Sequence, residues 1–343
     1  MKSEVRKRGF YLALVATLLA SIVVGLGAYT RLVHAGLGCP DWPGCYGFLT
    51  VPETAQEISQ AEQLYPNAPV EVDKGWPEMI HRYVAGSLML LVMGIVFQAF
   101  KYRREPNRPI ILPVFILVLI TLQAAFGMWT VTLKLWPQVV TAHLLGGFAT
   151  FSLLFLLTLR LSGMQRQFIQ GAGMLRTLGL VGLLLVIIQI TLGGWTSSNY
   201  AALACPDLPT CQNHWLPPMD FAEGFNINQA IGPNYLGGQL DGAARTAIHF
   251  SHRIGAILTL LMLSLLIIKT FTLTRNVDGH ERGVIRLLAS VVLIVLTLQI
   301  CLGLSNIIWS LPLGVAVAHN LGGALLLLSM VAYNYRLKGR AEA

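Results

Sequence analysis

Charge is what this sequence most lacks. Of its 343 residues, 16 are Asp or Glu and 24 are Lys or Arg, so 12% are charged against 55% hydrophobic, and the mean hydropathy is +0.63. Soluble domains carry about 25% charged residues. A chain with half that share has too little polar surface to cover a globule in water, which excludes an ordinary soluble fold. Acid is the scarcer sign, leaving a net charge of +8. A nucleic-acid partner is nevertheless excluded by where the basic residues fall, in short runs between apolar segments. Cysteine is scarce too: there are five, and four of them sit in two tight pairs.

What is abundant is apolar sequence in long runs. A bilayer core takes about 20 helical residues. Eight segments qualify, near 10–30, 78–100, 110–131, 138–159, 176–196, 247–271, 284–308 and 312–335. The first follows "MKSEVRKR", a basic stretch that could open a signal peptide. The run has spanning length and no A-x-A site follows it, so it is read as a retained helix. The expected fold class is therefore all-α, a polytopic membrane protein of eight transmembrane helices. Eighteen of the 24 Lys and Arg lie in "KSEVRKR", "KYRREPNR", the stretch holding Arg160, Arg166 and Arg176, the segment Lys269–Arg286, and "RLKGR". These are alternate connections. The positive-inside rule puts them and both termini in the cytoplasm, and the long connections 31–77 and 197–246 outside.

The cysteine pairs lie in those outside connections, as "CPDWPGC" (Cys39, Cys45) and "CPDLPTC" (Cys205, Cys211). In an oxidising compartment paired cysteines usually form disulfides, and the intervening proline turn can bring the sulfurs together. Zinc is the competing reading, but neither connection offers a second pair of ligands nearby. Cys301, in an apolar run, reads as a small buried hydrophobe.

The two cysteine motifs belong to a longer duplication. "GAYTRLVHAGLGCPDWPGC" at 27–45 parallels "GWTSSNYAALACPDLPTC" at 194–211. "IHRYVAG" at 80–86 answers "SHRIGA" at 251–256, "TLQAAFG" at 121–127 answers "TLQICLG" at 297–303, and "TAHLLGG" at 141–147 answers "VAHNLGG" at 317–323. Each half thus holds four helices, and an even number returns the chain to the same side. Two pseudo-symmetric four-helix bundles are expected, residues 1–165 and 166–343, related by an axis along the membrane normal.

Eight histidines are present. His34, His214 and His280 fall in connections and read as solvated. Near the outside ends of the even-numbered spans lie His81, His143, His249, His252 and His319, and four of these, His81, His143, His252 and His319, recur in register. Two imidazoles on neighbouring helices at one depth make an axial pair for heme iron, whereas zinc would want more ligands. The glycines in "LLGG" and "NLGG" suit a planar guest and equally suit helix packing. Arg82 and Arg253 follow the histidines. Each is expected to bind the heme by meeting a propionate as a bidentate pair, with snorkelling to the headgroups as the alternative. The halves differ three residues before the histidine, where the first has Glu78 and the second His249. Spacing of i and i+3 puts Glu78 on the face of His81. An acid inside a span is a functional candidate, and its alternative role is a salt bridge to Arg82 or a charge at the helix start.

This combination, "EMIHR", "AHLLGG", "AHNLGG", paired cysteines in the first and third outside connections and "TRLVHAGLGCPDWPGC", resembles heme A synthase over nearly the whole chain. The resemblance implies an inner-membrane oxidoreductase that converts the C8 methyl of heme O to the formyl group of heme A for cytochrome oxidase. It implies that His81 and His143 flank the substrate heme O, that Glu78 is the essential acid, and that His252 and His319 ligate a resident heme b. It also implies a role for Cys39 and Cys45 in electron or heme transfer beyond stability. Heme O synthase and an electron carrier or acceptor are the implied partners, and a homo-oligomer is compatible with the sequence. Two alternatives are a b-type cytochrome that oxidises quinones or thiols, and a heme carrier or transporter.

Overall fold

The computed structural model describes residues 6–164, 173–275 and 279–337, without the side chains of 280 and 281. Their helices, in chain order, are α1 Phe10–Leu32, α2 Ala55–Leu64, α3 Val72–Lys101, α4 Ile111–Thr132, α5 Pro137–Leu161, α6 Gly173–Ser198, α7 Phe221–Gly224, α8 Gly242–Leu273, α9 Gly279–Ile308 and α10 Leu313–Leu337. Among the described residues eight helices, all but α2 and α7, are long and apolar enough to cross a membrane. The protein is an all-α, eight-span membrane protein. The expected division at 165/166, Arg166 and the His280 side chain lie outside the described residues.

Helices α3 and α8 start earlier than the apolar runs at 78 and 247. Hydropathy registers only the part that faces lipid, whereas the polar first turns are held by local chemistry. At α8 the Asp241 carboxylate accepts from Ala244 N at 2.8 Å, a side-chain cap on an orphan amide. At α3 the helix runs through Pro77, whose carbonyl accepts from Thr30 Oγ1 of α1 at 3.2 Å. Glu78 and His81 therefore sit more than a turn inside the helix. Helix α2 carries a capping box: Thr54 Oγ1 accepts from Glu57 N, and Glu57 Oε2 accepts from Thr54 N.

Helix α1 packs on α3 and α5, and α4 packs on the same two, which closes a ring of neighbours; α6, α8, α9 and α10 close a second ring in the same way. The rings meet where α5 touches α6 and α10 and where α1 touches α10. Aliphatic packing is concentrated at the end away from the long connections, through Ala13, Ala16, Val92, Leu154, Leu157, Leu263, Leu266, Ile285, Met330 and Tyr333. Buried hydroxyls and amides stitch that end: Thr17 to Thr158 at 3.0 Å, Thr270 to Tyr333, and Asn334 Nδ2 to Gly179 O at 2.9 Å. Cys301 faces outward on α9 instead of being buried. In lipid an apolar side chain loses nothing by facing away from the protein, so apolarity alone does not predict burial.

Candidate functional site

Toward the end with the long connections, the aliphatic filling gives way to the histidines. His81 is on α3 and His143 on α5, opposite members of the first ring; His252 on α8 and His319 on α10 are opposite members of the second. Each ring rests on a glycine of an adjacent helix. A methyl added at Gly27 of α1 would stand 3.0 Å from His81 Cε1, and one at Gly127 of α4 would stand 3.4 Å from His143 Cε1. The counterparts are Gly193 of α6 at 3.2 Å from His252 and Gly303 of α9 at 3.0 Å from His319. Those distances are tighter than ordinary van der Waals contact, so only glycine leaves the imidazoles where they are. The sequence carried a signal for these seats, since Gly127 and Gly303 close the repeated "TLQxxxG", Gly27 opens the first cysteine repeat and Gly193 stands just before the second.

Above the rings, each disulfide loop is one compact unit. Cys39 is bonded to Cys45 and Cys205 to Cys211. Asp41 accepts from Tyr46 N at 2.6 Å and Gly47 N at 2.8 Å, and Asp207 accepts from Gln212 N at 2.5 Å and Asn213 N at 3.0 Å. Tyr46 and Gln212, equivalent in the repeat, both have positive φ. All four cysteines are buried. Burial and the nearby carboxylates push the Tyr46 phenol up to about 12, and its hydroxyl donates to Pro69 O at 2.8 Å. Gly38 is required by close approach: a side chain there would meet the Lys74 backbone at 2.5 Å.

The loops are pinned to the helices by the residues that precede and follow the histidines. Glu78 Oε2 accepts from Cys39 N at 3.0 Å, and Glu78 Oε1 pairs with Arg82 Nη2 at 2.5 Å. Arg82 also donates to the carbonyls of Asp41, at 3.0 Å, and Gly44. In the second half His249 Nδ1 accepts from Cys205 N at 3.2 Å, and Arg253 donates to the carbonyls of Cys205, Asp207 and Thr210 at 2.7 to 2.9 Å. Helical spacing puts Glu78 on the face of His81, yet its carboxylate is engaged with the loop. Spacing fixes the direction of Cα–Cβ, and the carboxylate then follows the nearest donors. The arginines, expected against propionates, are likewise occupied with loop carbonyls. Neither Asp41 nor Asp207 was singled out by the sequence, although both stand at the same place in "CPDxPxC".

The halves also touch at this end. Arg31 donates to Tyr200 OH and Ser197 O, each at 2.6 Å, with its guanidinium 4.1 Å from the Tyr200 ring centroid. His34, expected to be solvated, stacks on Tyr200, its repeat counterpart, at 5.7 Å and 4°. His214 is exposed.

Residues 10–331 match the COX15-CtaA family, described as cytochrome oxidase assembly protein. The chain is 49% identical over 329 residues to the heme A synthase of Shewanella oneidensis, with 95% of this chain and 94% of that one covered. The chain belongs to the heme A synthase family. Other heme A synthases are more distant over the same span: that of Nitrosospira multiformis is 28% identical over 351 residues, covering 94% and 91%, and that of Caulobacter vibrioides 27% over 355 residues, covering 97% and 96%. A member of this family is a membrane-bound, heme-modifying oxidoreductase, and its eight spans and bacterial relatives place this one in the inner membrane. The residues present suit a heme. Paired imidazoles on facing helices are the donor set that heme iron takes, and the Nδ1 atoms of His81, His143 and His319 are buried without a side-chain hydrogen-bond partner.

Proposed function

We propose that this chain oxidises the C8 methyl of heme O to the formyl group of heme A within two pseudo-symmetric four-helix bundles, residues 1–165 and 166–343. The observation that carries the reading is the imidazole seated on glycine four times over, twice in each ring of helices. On it, His81 and His143 hold the substrate heme O, and His252 and His319 hold heme b. Heme b, held there, would supply a one-electron carrier. Taking a methyl to a formyl is two successive two-electron oxidations with one oxygen added, so protons and electrons must leave the substrate side.

The chain's own residues divide that work. Glu78 holds or moves a proton one turn before His81, with Arg82 as its charge partner. His249 makes the same bond to its loop but brings no carboxylate, which fits a half that carries electrons and not substrate. The backbone grip of Arg82 and Arg253 keeps the disulfide loops closed over the rings and excludes water. An electron carrier or acceptor and heme O synthase are the partners this chemistry calls for. Both termini lie in the cytoplasm and the disulfide loops outside, as the charge distribution supports.

Extraction of the pigment from purified protein tests the reading. Wild type should yield heme O, its hydroxylated intermediate or heme A beside heme b. Glu78→Gln keeps an acceptor for Cys39 N–H and removes the charge, so it should remain folded and heme-loaded while heme A formation stops. If that variant makes heme A at the wild-type rate, Glu78 only pins the loop. A wild-type pigment of heme b alone would favour a b-type cytochrome with other substrates.

A further inference from the structure

The four histidine seats are not equal. One turn before the seat glycine, α4, α6 and α9 carry glutamine, as Gln123, Gln189 and Gln299, whereas α1 carries Val23. Three residues after the histidine, α5, α8 and α10 carry glycine, as Gly146, Gly255 and Gly322, whereas α3 carries Val84. The two differences are coupled by space. A methyl at Gly146 would stand 1.8 Å from Gln123 Nε2, and methyls at Gly255 and Gly322 would each stand 2.2 Å from Oε1 of Gln189 and Gln299. Each amide lies in the gap that its glycine leaves open, and at the His81 seat the repeat has neither the amide nor the gap.

In the second half the amides reach the rings. Gln189 Nε2 is 3.1 Å from His252 Nδ1 and donates to His252 O at 3.0 Å, and Gln299 Nε2 is 3.4 Å from His319 Nε2. The Oε1 atoms of Gln123, Gln189 and Gln299 are buried with no hydrogen-bond partner. A primary amide has a donor end and an acceptor end, and at Gln189 the bond to His252 O sets the donor end toward the ring. Fixing the second nitrogen of a ligating imidazole sets the ring's rotation and strengthens the ligand.

We propose that Gln189 and Gln299 are positioning residues that lock His252 and His319 around a permanently held heme, and that the Val23–Val84 pair leaves His81 without this amide lock so that the heme of the first half exchanges. The proposal rests on the ligand assignment above and adds to it why one half retains its heme and the other turns it over.

Gln189→Leu and Gln299→Leu keep the side-chain volume and remove the amide. In the purified protein each should release heme b about 10- to 100-fold more readily and broaden its low-spin paramagnetic resonance signal as ring orientations spread. The converse is Val23→Gln with Val84→Gly, which supplies the amide and its gap together. It should slow release of heme O from the first half about tenfold, in line with the same second-shell effect. Leu variants with wild-type heme release and an unbroadened signal overturn the proposal. His252→Ala, run in parallel, separates the two levels: if it keeps the low-spin signal the ligand assignment is wrong, and if it alone loses the signal only the positioning role falls. Should the Leu variants fail to fold, wild-type heme O exchange in the double valine variant overturns it.

Discussion

A single carbon decides much at the histidine seats. Gly27, Gly127, Gly193 and Gly303 face rings at 3.0 to 3.4 Å from where a Cβ would stand, so alanine there must displace an imidazole by a few tenths of an ångström. Overpacking of this kind costs about 1–3 kcal/mol, and here it also misaims a ligand. Gly303→Ala should lower the heme-to-protein ratio and convert low-spin heme to high-spin, read from the absorption spectrum. Gly283→Ala, on the same helix, is the matched control, because nothing lies within 4 Å of its Cβ position, and it should be silent. Equal spectra for the two variants would show that the seats do not position the rings. Arg82 is the other residue with leverage. Arg82→Ala leaves the Glu78 carboxylate buried without its cation, a loss of about 3–5 kcal/mol for a buried pair, and the melting temperature should fall accordingly.

At the scale of elements, each disulfide loop is a lid whose shape comes from backbone caps and whose place comes from helix side chains. A disulfide across so short a loop contributes about 2–3 kcal/mol by loop closure, and the caps from Asp41 and Asp207 already hold each turn. Because all four cysteines are buried, thiol–disulfide exchange needs a loop to lift, since exchange requires access to a sulfur. The isolated protein should show no labelling of these four cysteines without reductant, and slow labelling with reductant until denatured. Cys39→Ala should impair heme A production more than it lowers thermal stability, with Cys205→Ala doing so less. Equal defects that track stability in both variants would remove the functional distinction between the pairs.

For the whole molecule, the long second connection ties the halves together. Tyr235 N donates to Lys134 O at 3.0 Å and Trp136 Nε1 to Gln229 O at 3.0 Å, so residues of the 197–246 connection cover the turn between α4 and α5. With the Arg31 bridge and the Thr141–Ser198 hydrogen bond at 3.0 Å between α5 and α6, this gives many polar contacts across the halves. A chain divided between residues 164 and 173 and expressed as two pieces should reassemble in the membrane and bind heme b. Failure to co-purify would mean that the covalent link, and not this interface, holds the halves. Reporter fusions at the termini should be active in the cytoplasm, and one placed in 197–246 active outside; the opposite pattern would reverse the charge-based orientation.

The sequence by itself determined the class and the cast. Long apolar runs dictate eight spans because backbone in lipid must satisfy its own hydrogen bonds as helix. The repeat made the four histidines, the cysteine pairs and Glu78 with His249 stand out against an apolar background. Periodicity and hydropathy describe one helix at a time, and for that reason they missed what lies between helices. Only the tertiary structure decided that Glu78 and His249 both turn to a cysteine amide, that Arg82 and Arg253 grip loop carbonyls, and that Cys301 faces outward. It likewise decided that a glycine and a glutamine on one helix meet a histidine and a second glycine on the next to form a single seat, because close approach of two backbones is a property of the packed pair and is written in neither helix alone.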